Sequence, residues 1–222
     1  MPQRAPIRTT AAAALMAAGL LLTGCGTPAA DVETPAAGPA KASAPAKDAA
    51  ATVPAAAPAG ALGGAGTACV LPVTFSLAKG WKPKAIDAPE DPEVAELLEG
   101  LYRQGPATAV CEVDAKPAGN IGFLRVWTAP KGSARGTLEA FVKAEKGSKG
   151  AVYREVKAGA LPAVEVTYAV HSEVMEETSD KRALAVTTPK GVVIVHLGGL
   201  DSEEHKGMLP AYELAKTSLK VS

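Results

Sequence analysis

The chain has 222 residues, 47% of them hydrophobic and 4% aromatic, and it balances 23 basic against 23 acidic side chains. That balance excludes nucleic-acid binding or adsorption to anionic lipid driven by a strongly basic surface. The length allows one or two domains. Composition reduces this to one, because residues 1–68 are mainly Ala, Pro, Gly and Thr, while the aromatic residues and most charges follow them.

Residues 1–24 read as a targeting signal. Arg4 and Arg8 form a basic start, and 11–22 is an apolar run of twelve residues. A spanning helix needs roughly 20, and a small-residue cleavage site follows this shorter run. Leu22-Thr23-Gly24-Cys25 resembles the bacterial lipobox. The resemblance implies that the Cys25 thiol receives diacylglycerol and that a signal peptidase cuts just before it. Two acyl chains anchor stably where one is marginal, at ~0.8 kcal/mol per buried CH₂. The expected location is the extracytoplasmic face of the bacterial cell membrane, with the membrane itself as a partner through lipid on Cys25. Cleavage removes Arg4 and Arg8 and leaves 21 basic against 23 acidic side chains, a net charge of −2.

Residues 25–68 are expected to form a disordered tether. Pro35, Pro39, Pro54 and Pro58 interrupt a stretch of Ala and Gly. Such a segment has nothing bulky to bury and cannot offset the entropy of ordering. Its prolines favour an extended path of ~3.1 Å per residue. The folded domain is therefore expected over 69–222.

With Cys25 committed to lipid, Cys69 and Cys111 remain. Outside the cell an even pair reads as a disulfide, and closing a loop of about 43 residues is worth ~4 kcal/mol in the chain-entropy model. The alternative is two buried thiols. Two lone cysteines 42 positions apart offer no zinc quartet.

Within the domain, 70–77 is predicted as a strand. Asp91 caps a helix over 92–104 with Pro92 in its first turn and Val94, Leu97, Leu98 and Leu101 at helical spacing. Strands follow at 108–113, carrying Cys111, and at 121–128. A helix is predicted over 137–146, with Leu138, Phe141 and Val142 inward. Lys143, Lys146 and Lys149 interleave with Glu139 and Glu145, the pattern of a solvated face. Four strands come next, at 152–157, 163–171, 182–188 and 192–197, the last two joined by the tight turn Pro189-Lys190-Gly191. The final helix starts near Asp201 or Ser202, with Asp201 and Glu204 at capping-box spacing and a break or kink expected at Pro210. Met208, Tyr212, Ala215 and Leu219 form its apolar stripe.

Strand 192–197 is apolar on both faces, which marks cover from both sides. Val164, Val166, Tyr168 and Val170 alternate with Glu165, Thr167 and His171, which marks a half-exposed strand. The expected class is α+β: an α/β/α sandwich with a mainly antiparallel central sheet flanked by helices.

Phe75-Ser76-Leu77-Ala78-Lys79-Gly80-Trp81 resembles the opening of PsbP-like domains, with Ala78 in place of the usual proline. Gly159-Ala160-Leu161-Pro162-Ala163 and the run on to Tyr168 resemble the strand start of the same family, and the closing order of strand, hairpin, strand and helix is similar too. The resemblance implies a mostly non-catalytic helper that binds a partner, and it transfers no catalytic residue.

Common catalytic and nucleotide-binding motifs are absent from the sequence. His196 and His205, with Asp201, Glu203 and Glu204 between them, form the one cluster with a metal-like composition, but its spacing matches no metal motif. His196 is expected to be buried and structural, hydrogen-bonded by Asp201 or by the Gly198-Gly199 backbone. Trp81 and Trp127 read as core residues, and Arg125 shares a strand face with Phe123 and Trp127, where it can stack. No catalytic residue, metal or cofactor is expected. The leading function is an accessory or partner-binding module engaging an envelope protein or component. The alternative is a small-ligand carrier with a pocket between sheet and helix, and an envelope enzyme ranks third. A deep pocket with converging polar groups favours the carrier; an exposed apolar patch favours the binding module.

Overall fold

The computed structural model describes residues 53–87 and 89–222. Residues 1–52, with the expected signal peptide, Cys25 and most of the expected tether, lie outside them. In chain order the elements begin with β1 (Pro58–Leu62), β2 (Val73–Ala78), β3 (Lys82–Ala85), α1 (Pro92–Tyr102), β4 (Arg103–Gln104), β5 (Ala107–Asp114) and β6 (Gly122–Ala129). They continue with α2 (Ala134–Ala144), β7 (Ser148–Ala158), β8 (Leu161–Ser172), β9 (Glu177–Thr188), β10 (Gly191–Gly199), α3 (Ser202–Ser218) and β11 (Lys220–Val221). An eight-stranded sheet runs β3-β5-β6-β10-β9-β8-β7, with β4 paired to β5, and a three-stranded sheet runs β1-β2-β11. The pairings between these strands are antiparallel.

β10 sits mid-sheet and is buried on both faces, as its unbroken apolar run predicts. Strand alternation sends its side chains to opposite sides. Val193, Val195 and Leu197 join a cluster with Met208, Tyr212 and Ala215 of α3 and Val73, Phe75 and Leu77 of β2. Val192 and Ile194 join a second cluster with Leu138, Phe141 and Val142 of α2. A leucine- or phenylalanine-sized side chain contributes about 1.5–3 kcal/mol when fully buried, so these clusters hold both helices to the sheet.

The helix starts follow from their caps. The Asp91 carboxylate accepts from the Glu93 and Val94 amides at 2.9 and 3.3 Å, and Ser133 caps α2 through the Gly136 amide at 3.1 Å. Asp201 accepts from the Glu203 and Glu204 amides at 2.9 and 2.8 Å. The expected capping box is half made, because the Glu204 carboxylate accepts from the Ile121 amide instead, at 2.9 Å.

Two expectations need correction. The domain begins before residue 69: β1 pairs with β2 inside the stretch read as disordered, and Leu62 is 0% exposed. That stretch offers a single bulky side chain, so composition hides a strand whose hydrogen bonds come from β2. Helix α3 continues through Pro210. A mid-helix proline costs about 3 kcal/mol, and burial of Met208, Ala211, Tyr212 and Ala215 against the sheet offsets it. The Pro210 carbonyl also receives the Ala56 amide at 2.8 Å. Strand β8 is half-exposed as expected, with Val164, Val166 and Tyr168 buried and Glu165 and Thr167 partly exposed, and Glu165 accepts from Tyr212 Oη at 2.9 Å beneath α3.

Candidate functional site

Two features stand out from the packed core: the outer face of α1 and a cleft beside α3. Cap, proline and apolar spacing make α1 a helix, but its apolar stripe does not all turn inward. Tyr102 packs against the core beneath α2, and its hydroxyl donates to the Ala95 carbonyl at 2.6 Å. Val94, Leu97 and Leu101, at positions i, i+3 and i+7, share one face and are 42%, 82% and 68% exposed. Glu93, Glu96 and Glu99 flank them and are exposed as well. This helix therefore presents an apolar ridge with an acidic border.

Beneath α2 lies a polar chain, buried at Tyr168 and His196 and partly exposed at Glu145. The Tyr168 hydroxyl donates to Glu145 Oε2 at 2.5 Å, so its oxygen accepts from His196 Nε2 at 3.1 Å. That fixes the proton on Nε2 and leaves Nδ1 bare, buried and without a partner among the described residues. Phe141 meets the His196 ring edge-on with centroids 5.6 Å apart. Burial, reinforced by the charges of Lys181 and Arg125, pushes the His196 pKa down to about 3. Burial and then the Glu145 charge push the Tyr168 hydroxyl far up. The ring is neutral and the phenol protonated near pH 7.

The cleft opens between β7–β9 and the first turns of α3, with a volume of about 420 Å³. Its walls carry Lys149, Thr167, Lys181, Arg182, His205 and Lys206. The β7–β8 register breaks between Lys149 and Val152, so Lys149 and Gly150 border an interrupted stretch of sheet. Lys181 Nζ donates to the Gly199 carbonyl at 2.8 Å, and burial holds its ammonium below the usual lysine range. Arg182 Nη1 reaches Glu213 Oε1 at 3.3 Å, while its Nε is buried without a partner among the described residues. Burial, then the Arg182 charge, lowers the His205 pKa to about 4.

The residues singled out by sequence fall as follows. Cys69 and Cys111 are bonded, with Cα atoms 6.0 Å apart, and tie the turn before β2 to β5. Cys25 lies outside the described residues. His196 is 5% exposed, as expected, but its partner is Tyr168 rather than Asp201 or the glycine turn, because its side chain faces α2. Asp201 and Glu204 serve as cap and loop acceptor, and among the described residues no group of three His, Cys, Asp or Glu side chains gathers as metal ligands. Trp81 and Trp127 are in the core. Arg125 lies 4.3 Å from the Phe123 ring centroid and 5.7 Å from that of Trp127, and it pairs with Glu112. Glu145, read as part of a solvated face, instead holds Tyr168. The sequence reading missed Arg182, Glu213 and Lys216, which join β9 and Glu165 of β8 to α3 through pairs distant in the chain.

Comparison with protein families matches residues 39–219 to a family described as uncharacterised lipoprotein. Among curated proteins no significant relative was found. The chain is similar to the solution structure of cyanobacterial PsbP (CyanoP) from Synechocystis, at 11% identity and a TM-score of 0.48, covering 72% of this chain and 97% of that one. It is also similar to the crystal structure of LpqN, involved in cell envelope biogenesis of Mycobacterium tuberculosis, at 11% identity and a TM-score of 0.37, covering 68% and 83%. No helix among the described residues is long and apolar enough to cross a membrane.

Proposed function

Because the chain belongs to the uncharacterised lipoprotein family, we propose that it is anchored by lipid on Cys25 to the outer face of the cell membrane and works there as a non-catalytic docking module for an envelope protein. The observation that carries the docking role is the outer face of α1, where Leu97 and Leu101 stand 82% and 68% exposed between Glu93, Glu96 and Glu99. Contiguous apolar surface with a polar rim marks an interaction site, and the acidic rim calls for a partner with an apolar groove edged by Lys or Arg. An anionic bilayer is disfavoured by the same charges.

Two further readings belong to this proposal. The two helix-covered faces are read as an α/β/α sandwich of the PsbP-like kind. The domain is read as non-catalytic, because the buried Tyr168–His196 pair is covered by α2 and held in fixed protonation states near neutral pH. Neither group can exchange a proton with a substrate there.

The test is crosslinking in intact cells with Leu97→Ser/Leu101→Ser. Both positions are exposed, so the variant is expected to fold and stay on the membrane while losing its crosslinked adduct. An adduct of unchanged yield contradicts the docking face.

A further inference from the structure

We propose that the cleft between β7–β9 and the start of α3 binds a phosphate ester, held by Lys149, Arg182 and Lys206. The site goes beyond the docking role and lies apart from it: α1 neighbours β4 and β5, whereas β7 and β8 end the opposite edge of the sheet.

Charge is the first reason. Four cationic side chains line the cleft, Lys149, Lys181, Arg182 and Lys206, against one lining carboxylate, Asp180. In a chain whose basic and acidic side chains balance overall, this local excess of positive charge favours an anion.

Unmatched donors are the second reason. Lys149 and Lys206 are exposed and form no ion pair among the described residues. Arg182 commits one arm of its guanidinium to Glu213 and leaves a buried Nε–H without an acceptor. A buried donor left unmade is costly, and such groups in folded proteins call for a ligand, ion or water. His205 is 4% exposed, and its Nδ1 is likewise unmatched.

The third reason separates phosphate from carboxylate. Lys149, Arg182 and Lys206 come from three different elements, β7, β9 and α3. A phosphate monoester brings about −1.5 to −2 charge and three acceptor oxygens, one for each cation, while a carboxylate brings one charge and two oxygens. Ala169 and Leu209 add an apolar wall for the organic part of the ester. The volume of about 420 Å³ falls within the roughly 300–1,000 Å³ of small-molecule sites.

The ester can come from a soluble metabolite or from a lipid headgroup. The test titrates the detergent-solubilised full chain with glycerol 3-phosphate and, separately, with dihexanoyl phosphatidic acid, a lipid that is also a phosphate monoester, below its micelle concentration, by isothermal calorimetry. Saturable binding of either probe is expected, weakened about tenfold or more, equivalent to ~1.4 kcal/mol, in Lys149→Glu/Lys206→Glu. Those positions are exposed, so the variant is expected to keep the melting temperature of the wild type. Tighter binding of glycerol 3-phosphate assigns the site to a soluble ester, and tighter binding of the lipid assigns it to a headgroup. Absence of saturable binding with both probes, or equal affinity in the charge-reversed variant, overturns the proposal.

Discussion

His196 Nε2 lies 3.1 Å from the hydroxyl of Tyr168, and the two rings stack at 17° with centroids 6.2 Å apart. The hydroxyl proton goes on to Glu145. This chain links β10, β8 and the residue that ends α2, so it fastens α2 to the sheet by polar contacts as well as by Leu138 and Phe141.

That relationship sets a pH dependence. The His196 ring has an ordinary pKa of 6.5 and a folded value of about 3, so between those values the unfolded chain binds a proton that the folded chain refuses. The stabilisation is complete above pH 6.5 and is lost as pH falls toward 3. His205, at about 4, acts in the same direction. The melting temperature is expected to fall from pH 6.5 to pH 4, with a shallower fall in His196→Asn. That variant is also less stable at pH 7 by ~1–3 kcal/mol, because the buried contact between Tyr168 and the imidazole is lost and Tyr168 keeps only Glu145. Identical slopes in variant and wild type count against this account.

The Cys69–Cys111 bond closes a loop with a sequence separation of 42, and it holds the β1–β2 segment against β5. Cys69→Ala/Cys111→Ala is expected to cost up to ~4 kcal/mol, read by urea denaturation without reductant. Full alkylation of both thiols in the non-reduced native chain contradicts the bond.

Glu213 sits at the α3–sheet interface, 2.8 Å from Lys216 Nζ and 3.3 Å from Arg182 Nη1. Lys216 also reaches Glu165 at 3.1 Å. These side chains are mostly covered, so removing the carboxylate strands Arg182 and leaves Lys216 with Glu165 alone. Glu213→Ala is expected to cost about 3 kcal/mol, the low end for breaking a buried pair. A loss of about 1 kcal/mol or less, as for a surface pair, shows that water replaces the carboxylate.

Anchoring is tested by Cys25→Ser. The variant is expected to leave the membrane fraction or to accumulate with its signal attached. Equal retention of variant and wild type after a high-salt wash contradicts lipid attachment at Cys25.

Much of the fold was legible because its signals are local. Alternation in 163–171 and the two-sided apolar run at 192–197 identify β8 and β10, and Asp91 with Pro92 marks the start of α1. What escaped depends on distant partners. Nothing in Pro58–Leu62 marks a strand until β2 is beside it, and Lys82–Ala85 is a polar edge strand with a proline. Periodicity placed Leu97 and Leu101 on a helix face but could not say whether that face meets the core. The cleft gathers Lys149, Arg182 and Lys206 from three separate elements, so no spacing rule connects them. His196 was readable as buried, whereas Tyr168, 28 residues away, could be paired with it only once the strand order was known.

The central claim is that α1 is the docking face of a membrane-anchored module, and a photo-crosslinking amino acid at position 97 in intact cells tests it most directly. The control carries the same probe at Val174, 92% exposed in the turn between β8 and β9. The account predicts a discrete adduct from position 97, reduced by Glu93→Lys/Glu96→Lys, and no such adduct from position 174. No adduct from position 97, or the same adducts from both positions, contradicts it.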